Sequence, residues 1–186
     1  MATKTLKREF PWTDRIGGQQ IRFTLMTPED GPKLLAFAKT LSKDDMMYLR
    51  MDISRPEVIQ EWCENIRIGR TITVLAEDEE GQIIAYCTLH TNSMMWTRHI
   101  GEMRVLVHRK FRGIGLSRRI VTEMFQIARE LKLKRVQINI AREQSHFQRL
   151  LEELGFKVEA LLTDWLMDKE GRTHDLLIMS AYLDEY

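Results

Sequence analysis

Residues 105–125 read VLVHRKFRGIGLSRRIVTEMF. The stretch opens on apolar β-formers and crosses a short basic loop. It then places Gly113 and Gly115 just before a run with Ile120, Val121, Met124 and Phe125 at helical spacing. Strand, glycine turn and helix start, in that order, make an anion site. Glycine lets backbone approach a ligand closely, and the first turn of a helix offers unpaired N–H groups at the positive end of its dipole. The site suits a diphosphate, with Arg112, Arg118 and Arg119 adding charge around it. It is not a nucleotide P-loop, which needs Lys-Ser or Lys-Thr where this chain has Leu116-Ser117, and it lacks the three-glycine dinucleotide fingerprint. On these residues alone, an ordinary turn remains the alternative.

Outward from this stretch the chain alternates strand and helix signals. Gly17-Gly18 predicts a hairpin turn leading to a strand over 21–25. Thr27, Pro28, Glu29 and Asp30 then predict a helix entry, with an apolar stripe from Leu34 to Leu41. A second helix is expected near Ser54, carrying Val58, Ile59, Trp62 and Ile66 on one face. Residues 71–76 and 83–90 flank an acidic turn at Gly81 and predict an antiparallel hairpin. Then come a strand over 101–108, a helix over 117–131, a strand over 135–140 and a helix over 145–154 ended by Gly155. Two last strands, near 160–167 and 176–181, enclose another turn. Hairpins followed by helical crossovers predict one α/β domain over 1–186, with 1–20 as an extension or hairpin. Its sheet would be mixed, with helices on both faces.

Bulk properties exclude some functions. Of the 186 residues, 28 are basic and 27 acidic, which argues against nucleic-acid or membrane partners that need a one-signed field. Cys63 and Cys87 are too few and too far apart for a zinc site, and they predict two reduced, buried thiols. No metal is expected. No secretory core or bilayer-length apolar run is visible, so the expected location is cytoplasmic.

The order hairpin, strand, R-x-x-G-x-small turn, amphipathic helix, strand, and helix ending L-G-F resembles the GNAT superfamily of N-acetyltransferases, over roughly residues 21–182. The family pattern Gln/Arg-x-x-Gly-x-Gly/Ala reads here Arg112, Gly113, Ile114, Gly115, Leu116, Ser117, with Ser117 a small-residue departure. The resemblance implies a mostly antiparallel sheet splayed in its middle, acetyl-CoA as co-substrate, and an amine acceptor. It implies that Val105, Leu106 and Val107 offer backbone groups to the pantetheine arm, with a Val107 N–H facing the oxyanion. Residues 112–117 would offer N–H groups to the pyrophosphate. In the string QSHFQRLLEELGF, Gln144 stands where the family carries an asparagine on the pantetheine, and Leu151 where it carries a proton-donating tyrosine.

Acetyl transfer needs a neutral amine, an oxyanion donor and a proton for the leaving thiolate. Glu102 is the first candidate base, at a position where many relatives carry a glutamate; pairing with Arg104 or Arg98 is its structural alternative. His108 and His99 bracket the same strand and could serve instead, and His146 would lie beside the pantetheine. Asp164, His174 and Asp175 surround the last hairpin and read as turn chemistry or as an edge of the acceptor cleft. Met46, Met47, Met94 and Met95 read as core filling or as a pliable surface, and Trp62 and Trp96 as packing. Leu151 also motivates a second reading, a non-catalytic acyl-CoA-binding module. The residues leave the oligomeric state open, with a homodimer as the default among assemblies.

Overall fold

The computed structural model describes residues 6–183, so residues 1–5 of the expected extension and residues 184–186 lie outside it. Strands β1 (Trp12–Ile16), β2 (Gln19–Leu25), β3 (Thr71–Glu77), β4 (Ile83–His90) and β5 (Ile100–Val107) lie side by side, each antiparallel to the last. Strand β6 (Arg135–Ala141) joins β5 in parallel, and β8 (Thr173–Tyr182) sits between β6 and the edge strand β7 (Lys157–Met167). This is the mixed, mostly antiparallel sheet the sequence predicts. Ile16 pairs with Gln19 around Gly17 and Gly18, both at positive φ, as a two-residue hairpin turn requires.

Helices cover both faces. Helix α4 (Leu116–Glu130) turns Ile120, Val121, Met124, Phe125 and Ala128 onto one face of the sheet, against Cys87, Leu89, Met103 and Val107. Each of the larger of these side chains contributes about 1.5–3 kcal/mol on leaving water. Helix α5 (Ser145–Glu153) adds Leu151 to the same core. Its end is closed by Phe156 N–H donating to Leu151 C=O and Gly155 N–H to Glu152 C=O, both 3.0 Å, the paired bonds of a Schellman cap. On the opposite face, α1 (Gly31–Thr40) and α3 (Pro56–Arg67) pack Leu34, Phe37 and Ile59 on Leu75, Tyr86 and Leu106.

Some elements differ from expectation. The turn Pro28–Asp30 is 3-10, and α1 starts only at Gly31. A short helix, α2 (Lys43–Met47), was not foreseen; Ser42 and Asp45 cap it reciprocally, with Asp45 N–H donating to Ser42 Oγ (3.1 Å). Strands β7 and β8 are longer than expected because β7 shifts register between Val158 and Ala160 and again between Leu162 and Leu166, which breaks its alternation. Trp96, expected to pack, is 91% exposed, and Met94 and Met95 are exposed beside it. Cys63 and Cys87 are both buried thiols, as expected. None of the helices among the described residues is long and apolar enough to cross a membrane.

The feature that positions the site is where one ladder stops. Strands β5 and β6 pair only from Ile100–Arg135 to Met103–Ile138. Beyond that, β5 stays on β4 and β6 stays on β8, so a gap opens between Arg104–Val107 and Asn139–Ala141.

Candidate active site

The gap opens into a cavity of about 660 Å³ that runs from the glycine turn to the sheet face beneath α3. His108 N–H donates to Ile84 C=O (2.9 Å), and the β4–β5 register is unbroken. By alternation, the backbone groups of Arg104 and Leu106 therefore point at β4, while those of Val105 and Val107 face the gap. The backbone groups of Leu106, expected on the pantetheine, are turned away; its side chain packs under α1 and α3 instead. The Val107 carbonyl accepts from Arg112 Nε (3.0 Å), and its N–H faces the gap.

At the end of β5 the chain makes one 3-10 turn and reaches Gly113 (φ 78°) and Gly115 (φ 94°), the latter the N-cap of α4. A Cβ at either would meet no protein atom within 4 Å, so the glycines serve the backbone conformation and leave the space above it open. The N–H groups of Leu116, Ser117 and Arg118 start the helix, where no preceding turn accepts them. This cradle fits a diphosphate. The three arginines, however, are all engaged by carboxylates. Arg112 pairs with buried Asp45 (2.5 Å), Arg118 with Glu153, and Arg119 with Asp14 (3.0 Å) and Glu123 (3.2 Å). The positive field of the turn therefore comes from backbone donors and the helix dipole more than from free cations. The Ile114 side chain points into the core and lies so close to the first hairpin that a Cβ on Gly17 would come 2.6 Å from its Cβ.

Gln144 lines the cavity, but its Oε1 accepts from Ala141 N–H (3.0 Å), which fixes the side chain across the start of α5. His146, Phe147 and Leu150 form the neighbouring wall. Leu151 is fully buried in the core rather than in the cavity. Two phenols, Tyr48 and Tyr86, do line the cavity, and burial raises the pKa of both, so each keeps its proton at neutral pH.

At the far end lies Glu102, whose Oε1 accepts from Arg50 Nη1 (3.1 Å), Arg104 Nε (3.3 Å) and Arg104 Nη2 (3.2 Å). Across β4–β5 its partner is His90, a residue the sequence reading passed over. Burial, with Arg104 adding to it, pushes the His90 imidazole down to about 4, so it is neutral at physiological pH; Thr71 Oγ1 lies 2.8 Å from its Nδ1. The hint of His90 in sequence is an ionisable residue closing a mostly apolar strand. His108, the alternative base, is not part of the cavity wall. Its ring packs against Phe37 and Phe111, and its Nδ1 accepts from Lys110 N–H (3.3 Å). His99 is exposed outside the cavity.

The β7–β8 turn is tied to the cavity rim through His174. Its Nδ1 lies 3.0 Å from Oε1 of Glu143, a rim residue, and its Nε2 lies 3.2 Å from Oδ2 of Asp168. Hydrogen bonds to Glu143 and then Asp168 raise the His174 pKa. Burial alone would raise the Asp168 carboxyl, but the Arg172 and His174 contacts hold it below the usual carboxylate range. Because the folded pKa of His174 is raised, its stabilising contribution is complete below the ordinary value near 6.5 and is lost as pH rises through the raised one. An NMR titration of the His174 ring should show a midpoint above about 6.5, lowered by Glu143→Gln; a midpoint at or below that value would remove the clamp. Asp164 and Asp175 belong to the hairpin itself: Asp164 N–H donates to Asp175 Oδ1 (3.1 Å) at a residue of positive φ inside the second register shift.

Residues 35–156 match the model of the acetyltransferase (GNAT) family. The chain belongs to that family, whose members are acetyl-CoA-dependent N-acetyltransferases with acetyl-CoA as co-substrate. Solved structures agree on the fold. A ribosomal-protein-alanine N-acetyltransferase from Brucella melitensis superposes with a TM-score of 0.75 at 25% identity, over 86% of this chain and 98% of that one. The yncA protein of Salmonella typhimurium, solved with its cofactor acetyl-CoA, gives 0.74 at 22% identity over 89% and 95%. A spermidine N-acetyltransferase from Vibrio cholerae, in complex with CoA and spermine, gives 0.72 at 17% identity over 89% and 97%.

Proposed function

We propose that this protein transfers the acetyl group of acetyl-CoA to a primary amine by direct attack, with donor and acceptor bound together. The observation that carries this reading is the continuity of one cavity. It joins gap-facing backbone of Val105 and Val107 and the Gly113–Ser117 cradle at one end to a carboxylate, Glu102, at the other. The N–H of Val107 faces the oxygen on which charge develops. Glu102 takes a proton from the amine, directly or through water. The nitrogen–carbon bond forms as the carbon–sulfur bond breaks, and a cavity phenol or water returns a proton to sulfur. Val105, Val107, the cradle residues and Gln144 bind the donor. The alternative of a binding module without turnover drew its support from Leu151, and that side chain does not face the cavity.

The test is calorimetric titration with acetyl-CoA, then thiol release against a broad panel of amines, amino acids and peptides. Acetyl-CoA binding with amine-dependent release is expected. Binding with no release across the panel would favour the non-catalytic module, and no binding at all would sink both readings.

A further inference from the structure

The acceptor end of the cavity carries a charge pattern that the transfer chemistry does not require. Strand β5 presents Glu102 and Arg104 to the α3 side, opposite His90 and Thr88 of β4. Arg50 reaches the same spot from the segment between α2 and α3. Two guanidinium groups thus converge on a single oxygen of a single carboxylate. An arginine has five N–H donors. Glu102 occupies one nitrogen of Arg50 and two of Arg104, and neither arginine has another protein acceptor among the described residues. Both line the cavity. Arg104 is held on the strand with its side chain 31% exposed, and Arg50 stands on the solvent side at 65%.

Surplus guanidinium donors at a cavity wall are matched by a planar or tetrahedral anion, which accepts two or more N–H bonds in the geometry the fork offers. His90 adds no charge, being neutral near pH 7. Glu102 lies between the two forks, so anion-binding and amine-binding groups stand side by side. A polyamine would set its second ammonium against two arginines, an unfavourable match. A peptide N-terminus carries no anion close to its amine.

We propose that the acceptor is a small zwitterion: a primary amine with a carboxylate or similar anion a few bonds away. Arg50 and Arg104 hold the anion, and Glu102 faces the amine. The two arginines are then specificity-determining residues. This rests on the transferase reading of the same cavity.

The experiment compares an L-amino acid series with the matching carboxamides and the matching decarboxylated amines. Affinity is measured on the CoA-loaded protein, and kcat/KM by thiol release with acetyl-CoA. The acids should exceed both analogues by about ten-fold or more, because the analogues leave the guanidinium donors without a charged acceptor. Arg50→Gln and Arg104→Gln should each shrink that ratio to within about three-fold, with Arg104→Lys intermediate because it keeps charge without the fork. Acetyl-CoA affinity, read separately, should not follow. Carboxamides or decarboxylated amines equal to or better than the acids would overturn the proposal, as would a preference unchanged in both glutamine variants. If no amine is acetylated, the transferase reading fails, while the affinity ratio on the CoA-loaded protein still decides the zwitterion question.

Discussion

Replacing Gly115 by valine should lower acetyl-CoA affinity on the order of 10- to 100-fold while the fold survives. Gly115 caps α4 at φ 94°, and a Cβ there meets no protein atom, so packing does not oppose the substitution. The backbone does. A non-glycine residue in left-handed space costs roughly 1–2 kcal/mol, and a β-branched one more. If valine keeps the left-handed conformation in both states, the cost falls on stability and cancels from binding; if it relaxes to negative φ, the N–H groups at the start of α4 rotate away from the anion, and binding must restore them against that strain. A strain of about 1.4 kcal/mol is already ten-fold in binding, and one lost charge-assisted donor supplies much of the rest. Calorimetry with acetyl-CoA reads the loss, and an unchanged dissociation constant would show that the turn does not hold the donor.

Glu102→Gln should lower the transfer rate by roughly 10²–10⁴-fold, the usual range for removing a general base. The amide is isosteric, and its oxygen can still accept from Arg50 and Arg104, so the local geometry should hold. The proposed donor site lies elsewhere in the cavity, so acetyl-CoA affinity should be kept. The loss should appear mainly in kcat, with a smaller effect on acceptor KM from the uncompensated arginines. A rate within about three-fold of the parent would take Glu102 out of proton transfer and leave water or His90 to do it.

The glycine cradle was legible because its physics is local. Gly113, Gly115 and the apolar face of α4 lie within one short string, and the flanking strand and helix signals were strong. Glu102 was legible as a candidate, and its pairing with Arg104 was the structural alternative seen for it. Arg50 and His90 were not legible. Arg50 sits 52 residues from its partner in a segment without periodicity, and His90 becomes a cavity residue only once β4 is set in register against β5. In sequence, Arg112, Arg118 and Arg119 read only as added charge around the cradle, and their carboxylate partners were hidden for a similar reason. Their partners Asp45, Glu153, Asp14 and Glu123 come from α2, α5, β1 and α4 itself, and no rule of spacing joins the first three to the turn. Leu106 was misjudged because a strand's apolar pattern does not say which residues turn their amides to which neighbour.

The position of β8 has a consequence for how the protein comes into being. Strand β6 forms one arm of the gap, yet it shares only four residue pairs with β5. Its full-length support is β8, through seven pairs from Arg135–Tyr182 to Ala141–Leu176. During synthesis β8 emerges after every other described strand. Until it inserts between β6 and β7, the β6 arm is bare on that side and β7 lacks its pairing partner among the described strands. A nascent chain that already displays the complete glycine turn therefore still lacks the β8 support for the far arm of the gap. On the proposed function, the donor site would be complete only when the two halves of the sheet lock together.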